Sequence, residues 1–222
     1  MVTLTRPWSV VFQDAHLLVV NKPSGLLSVP GRGPDKQDCL WTQVQQHAPA
    51  ALVVHRLDQA TSGLMMFALS PDVQRSLSMA FEARQVQKKY HAWVEGVLPV
   101  QAEWQTIDMP VLLDWPNRPV HIIDPSGKPS QTRWRCIEHH AQYPASLLEL
   151  QPLTGRTHQL RVHLKAIGHP IWGDALYAPP NVQARSPRLM LHATALGLRH
   201  PMTQQALHWA CPPDFAPHLD GH

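Results

Sequence analysis

Apolar and polar positions along this chain follow two rhythms, and each predicts a different element. Leu17 to Val20 is a short apolar run that predicts a strand, and Leu52-Val53-Val54 and Leu64 to Leu69 are apolar runs that predict two buried elements. From Lys88 to Glu95 the period is two, which sends Tyr90, Ala92 and Val94 to one face and Lys89, His91 and Trp93 to the other. Tyr90 is thus expected to point to the interior or to the floor of a cleft. Ser146 to Leu150 reads as a further strand. A helical period replaces these at Val73, Leu77 and Phe81, with Ser70 placed to cap and Pro71 at the first helical position. A second helix is predicted from Thr157 to Ile167, closed by Gly168. On it Leu160, Leu164 and Ile167 share one side and His158, Arg161 and Lys165 the other, so the polar face is cationic. The 22 prolines fall mostly between the apolar runs, as turns and strand punctuation would.

Composition narrows the picture only a little. A chain of 222 residues, 44% of them apolar, can bury the core of a single domain over its whole length, 1–222, with a loosely held polar tail from about Pro212. A net charge of +3 fits a nucleic-acid partner and many soluble enzymes alike. Cys39, Cys136 and Cys211 are odd in number and far apart, which predicts neither a disulfide framework nor a cysteine zinc site and points to a reducing compartment. With Asp14 and His16 interrupting the first apolar stretch, and nowhere eighteen apolar residues in a row, a secreted or membrane-spanning protein is not expected. The expected location is the cytoplasm. Fifteen histidines raise the question of a metal, but HExxH is absent and pairs such as His158 and His163 lack a carboxylate arranged as a ligand set, so no metal is expected.

Between two of the buried runs lies His55-Arg56-Leu57-Asp58-Gln59-Ala60-Thr61-Ser62-Gly63, a connection rich in hydroxyl and turn-forming residues. By spacing alone Arg56 and Asp58 read as well as a weak surface ion pair as a site. The spelling changes this. HRLD followed by TSG resembles the active-site signature of the RluA family of pseudouridine synthases, which isomerise chosen uridines in structured RNA. The rest of the chain is similar in the family's order: Val20-Asn21-Lys22-Pro23-Ser24-Gly25-Leu26 with Val29-Pro30-Gly31, the strand from Lys88 to Gly96, Gly155-Arg156-Thr157-His158-Gln159-Leu160-Arg161-Val162-His163, Gly168-His169-Pro170-Ile171-Trp172-Gly173-Asp174, and Arg188-Leu189-Met190-Leu191-His192-Ala193. The likeness runs from about position 17 to about 213. Trp115-Pro116-Asn117-Arg118-Pro119 resembles the branch that modifies both a 23S ribosomal RNA loop and a transfer RNA anticodon stem-loop. With about sixteen residues before the first motif there is no room for the S4-type RNA-binding domain of many relatives.

The resemblance implies an α+β pseudouridine synthase fold, a mixed and largely antiparallel sheet flanked by helices around an active-site cleft. It implies a monomer acting on ribosomal or transfer RNA with no cofactor. It also implies roles: Asp58 as nucleophile, Tyr90 stacked on the target uracil and able to accept a proton, Arg161 paired with Asp58, and Arg56 inserted into the RNA stack in place of the uridine. Lys22, Arg32, Arg118 and Lys165 are expected phosphate contacts. The chemistry suits these residue types. Moving the bond at C1′ from N1 to C5 consumes no redox partner or metal, a carboxylate nucleophile must be ionised, and an adjacent guanidinium favours that form. Extruding the uridine costs about a few kcal/mol, and a planar guanidinium can fill the gap. Two other readings stand beside this one. An RNA-binding module without catalysis would not need Asp58, Tyr90 and Arg161 together. A glycosidic-bond hydrolase would need a second acid, for which Asp174 is the chief candidate.

Overall fold

The computed structural model describes residues 7–215. They fall into two units, residues 7–87 with 193–213 and residues 88–192 with 214–215. In chain order the first unit has β1 (Ser9–Gln13), β2 (Leu17–Lys22), α1 (Leu40–His47), β3 (Leu52–Val53), β4 (Ser62–Ala68) and α2 (Pro71–Glu82). Next come β5 (Gln87–Glu95), β6 (Gln105–Asp108), β7 (Val111–Leu113), β8 (His121–Ile123), β9 (Gln131–His139), β10 (Ala145–Pro152), α3 (Gln159–Ala166) and α4 (Pro180–Gln183), nearly all in the second unit. Most of β11 (Leu191–Arg199) and all of β12 (Ala206–Ala210) belong to the first.

The first unit orders its strands β1-β2-β4-β11, with β3 also on β4 and β12 on β11. All seven residues of β4 are buried, as are five of the six in β2, which is why both read as unbroken apolar runs. Ser70 caps α2 by accepting the Val73 N–H at 3.4 Å, and Pro71 opens the helix. Val73 and Leu77 then enter a core with Leu17, Val19, Leu64, Met66 and Trp209, against which Phe81 also packs.

The second unit runs β5-β10-β9-β6, each neighbour antiparallel, with β7 and β8 as a separate ribbon. On β5 the predicted alternation is visible, since Ala92 and Val94 are buried and Tyr90 is half-buried. The fold is thus α+β with mostly antiparallel strands, α2 lying on β3 and β4 and α3 on β8 and β10.

Two expectations need correction. The helix at α3 begins at Gln159 rather than Thr157, because His158 adopts a left-handed backbone (φ 56°) that starts the helix after it. On its cationic side Arg161 is 4% exposed, His158 is half-buried and Lys165 faces solvent. The tail also starts more firmly than expected, since Arg188 Nη2 donates to the Asp214 carbonyl at 2.7 Å and its guanidinium lies 5.4 Å from the Phe215 ring. Residues 216–222, the remainder of that tail, lie outside the described residues.

Candidate active site

The loop carrying Asp58 is stitched along its length to the turn that follows β2. Ser28 Oγ donates to the Leu57 carbonyl at 2.6 Å and accepts the Leu57 N–H at 3.1 Å. Ser24 Oγ donates to the Ala60 carbonyl at 2.7 Å, and Gly25 N–H to the Gln59 carbonyl at 2.9 Å. At the near end the His55 ring stacks on Phe81 at 4.7 Å and its Nε2 accepts the Met66 N–H. At the far end Gly63 has φ +112°, and a Cβ there would run into the Ala193 backbone, so only glycine fits. Successive residues of the loop are therefore sorted by burial: Arg56 exposed, Leu57 buried, Asp58 half-buried.

Lys22 underlies this loop. It is 0% exposed, and its Nζ donates to the carbonyls of Pro23, Leu26 and Gln59 at 2.9, 2.7 and 3.1 Å. Burial pulls its ammonium down to about 7, and the charge of Asp58 works against that shift. A side chain so enclosed is not available to a phosphate, which corrects the role expected for Lys22. Its three donors instead tie the turn after β2 to the backbone beside Asp58.

In the second unit Arg161 is held by a carboxylate. Its Nε and Nη2 donate to Asp174 Oδ2 and Oδ1 at 2.8 and 2.6 Å, and its guanidinium lies 4.9 Å from the Tyr177 ring. Asp174 is 0% exposed and its Oδ1 also accepts the N–H groups of Leu176 and Tyr177. Every one of these contacts uses the carboxylate as an acceptor. That arrangement suits a buried anion that fixes a guanidinium and does not suit the proton-donating acid a hydrolase would need. Nη1 of Arg161 lies outside the bidentate pair.

Beneath Arg161 a buried polar network sets the depth of α3. Gln159 Nε2 donates to the Gln131 carbonyl at 2.9 Å and to Thr132 Oγ1 at 3.0 Å, while its Oε1 accepts from Thr154 Oγ1 at 2.7 Å. His163 Nε2 faces the Met109 carbonyl at 2.9 Å, so that nitrogen carries the proton. Burial lowers the affinity of His163 for a second proton, which leaves Nδ1 to accept from Thr132 Oγ1 at 2.9 Å.

The remaining expected cations are exposed. Arg32 is exposed on the loop before α1, and Lys165 is exposed near the end of α3. Arg118 is exposed with its guanidinium 4.4 Å from the Trp115 ring. Asp58, Arg56 and Arg32 belong to the first unit, whereas Tyr90, Arg118, Arg161 and Lys165 belong to the second. Spacing had no means of assigning Asp174 to Arg161 or Lys22 to the interior. Among the described residues no group of three or more His, Cys, Asp or Glu could hold a metal, and no helix is long and apolar enough to cross a membrane.

The sequence model of the RNA pseudouridylate synthase family matches residues 16–166. Dual-specificity RNA pseudouridine synthase RluA of Escherichia coli O6:H1 is 47% identical over 212 residues, covering 95% of each chain. The enzyme of the same name from Vibrio vulnificus is 45% identical, covering 96% of this chain and 86% of its own. Among solved structures, human RNA Pseudouridylate Synthase Domain Containing 1 superposes with a TM-score of 0.78 at 33% identity, covering 96% of this chain and 86% of that one. Human RNA Pseudouridylate Synthase Domain Containing 4 gives 0.72 at 27% identity over 93% and 89%.

Proposed function

The chain belongs to the RluA family of RNA pseudouridine synthases, which are isomerases, and from that membership we propose that it converts selected uridines of both a 23S ribosomal RNA loop and a transfer RNA anticodon stem-loop, with Asp58 as the nucleophile. The observation that carries the assignment is the presentation of Asp58 at the half-buried position of a loop whose flanking backbone is bound to Lys22, Ser24 and Ser28. A nucleophile needs that fixed placement, because binding then supplies orientation that would otherwise be lost as entropy. Two substrate classes accord with the dual specificity of the relatives, and the likeness of Trp115–Pro119 is what points to a ribosomal and a transfer RNA as the two.

In this reading the bond from N1 to C1′ of the uridine breaks, the uracil turns, and C5 joins C1′. The hydrogen on C5 then leaves as a proton. Tyr90 stacks on the uracil and its hydroxyl takes that proton. Arg161 supports the charge of Asp58, and its own orientation is set by Asp174. Arg56, exposed two residues before Asp58, fills the RNA stack from which the uridine is drawn. Arg32, Arg118 and Lys165, all exposed, answer phosphates. The protein acts as a monomer in the cytoplasm, as a single catalytic domain without a cofactor.

The test is release of tritium from RNA labelled at uracil C5. Asp58→Asn keeps the shape and removes the charge, so RNA binding should persist within a few-fold while turnover falls by about four orders of magnitude or more. Appreciable tritium release by Asp58→Asn would remove Asp58 from the nucleophile's role.

A further inference from the structure

Among the described residues Trp115 is the most exposed of the large aromatic side chains, at 65% of its surface. It does not hang from a loose loop. The turn between β7 and β8 is closed by Asp114 N–H to the Val120 carbonyl at 3.0 Å, Asn117 N–H to the Asp114 carbonyl at 3.1 Å, and Val120 N–H to the Asn117 carbonyl at 3.0 Å. Asn117 Nδ2 also donates to Asp114 Oδ2 at 2.9 Å, which occupies the one acid of the turn. The Arg118 guanidinium lies over one face of the indole, 4.4 Å from its centroid. With that face covered and most of the side chain still exposed, the opposite face is open.

The turn is fastened to the part of the second unit that holds Arg161. His121 N–H donates to Tyr177 Oη at 2.9 Å, the His121 ring meets His158 at 5.2 Å, and His158 Nδ1 shares a hydrogen bond of 2.7 Å with the same Tyr177 hydroxyl. Arg161 and Lys165 both lie over the Tyr177 ring, at 4.9 and 5.8 Å. A rigid, open indole backed by a guanidinium and joined to a cationic neighbourhood fits a flat, anionic partner.

We propose that Trp115 is a stacking platform for one unpaired nucleotide of the substrate RNA other than the uridine being converted, with the base on the open face of the indole and Arg118 against that nucleotide's phosphate. The inference rests on the reading that RNA is the substrate and deepens it, since it names a specificity contact to a nucleotide other than the one converted. Stacking tolerates any base because every base has a flat face, so the platform selects for a nucleotide that is unpaired at the right distance rather than for its identity. Duplex RNA offers no such base.

The experiment uses the full-length protein and an anticodon stem-loop transcript with 2-aminopurine placed at each loop position in turn. Wild-type protein should quench the probe at one position distinct from the target uridine. Trp115→Ala should abolish that quenching and weaken binding about tenfold, within the roughly five- to hundred-fold range of losing one stacked base. The single-turnover rate at saturating enzyme should change by less than about twofold, because the contact is made equally in ground and transition states. Trp115→Phe, which keeps a smaller ring, should recover affinity to within about threefold of wild type. Unchanged binding and quenching in Trp115→Ala would overturn the proposal, as would equal weakening by Trp115→Ala and Trp115→Phe. If the wild-type protein binds and quenches but releases no tritium, the synthase assignment fails and the platform stands.

Discussion

Replacing Lys22 by methionine separates two meanings of a lysine in a motif, a cation offered to RNA and a buried strut. Methionine matches the length and removes three donors. The carbonyls of Pro23 and Leu26 then lose the bond they receive from Nζ, while that of Gln59 keeps the Gly25 N–H. Each orphaned buried carbonyl costs about 1–3 kcal/mol, and relief from desolvating an ammonium offsets part of this, so a net loss of about 2–4 kcal/mol is expected.

The loss should depend on pH in a defined direction. Because burial lowers Lys22 to about 7 in the folded protein, while the unfolded chain keeps the ordinary lysine value near 10.5, the unfolded state binds the extra proton between those two values. Stability supplied by Lys22 therefore rises with pH across that window, by up to roughly 1.4 kcal/mol per pH unit, and is flat below it. Urea unfolding of wild type and Lys22→Met at pH 6.5, 8 and 9.5 should show a gap that widens with pH. A constant gap would mean that the three carbonyls and Asp58 keep the ammonium charged throughout. A variant of full stability whose RNA binding loses about 0.7 from its salt slope would restore Lys22 as a phosphate contact.

Other expectations follow from the same geometry. Asp174→Asn leaves the 4%-exposed Arg161 without its carboxylate and should cost about 3–5 kcal/mol by denaturant unfolding, together with most of the activity; a variant as stable as wild type would show that the pair holds nothing in place. Gly63→Ala drives a Cβ into the Ala193 backbone and adds a strained φ, so a loss of at least about 2 kcal/mol and a displaced Asp58 loop are expected, and a thermally unchanged protein would contradict the close approach. Arg56→Ala should slow conversion of a stacked uridine more than one already unstacked, whereas Lys165→Ala should weaken both alike and lower the salt slope by roughly 0.7; the reverse pattern would exchange their roles.

What the sequence made legible depended on whether periodicity or partnership carried the information. The strand β2, the buried run that becomes β4, the capped helix α2 and the alternation on β5 follow from the rhythm of apolar positions, and the structure has each within two residues of its expected bounds. The helix start at α3 was less visible, because a left-handed His158 is set by its partners Tyr177 and His121, which lie far away in the chain.

Charged residues were the hardest to place, for a reason that Lys22 and Arg161 share. A cation in a motif is visible in the sequence and its burial is not, so the sequence alone offers Lys22 as a phosphate contact and Arg161 as a partner of Asp58 without showing that either is enclosed. What decides burial is the supply of acceptors. Lys22 has three backbone carbonyls, released by a turn that makes no strand ladder, and Arg161 has a carboxylate that is itself bound by two backbone N–H groups. Each set reaches beyond the motif of the cation it serves: Pro23 and Leu26 are one and four residues from Lys22 but Gln59 is 37 away, and Asp174 lies 13 from Arg161. Arg56, by contrast, has Leu57 beside it to take the buried position, and Lys165 sits past the last buried turn of α3, so these two remain exposed. The cations that reach solvent are therefore those next to a better candidate for the interior, and the ones drawn inside are those for which the fold gathers oxygen acceptors, the adjacent turn with Gln59 for Lys22 and the Asp174 carboxylate for Arg161.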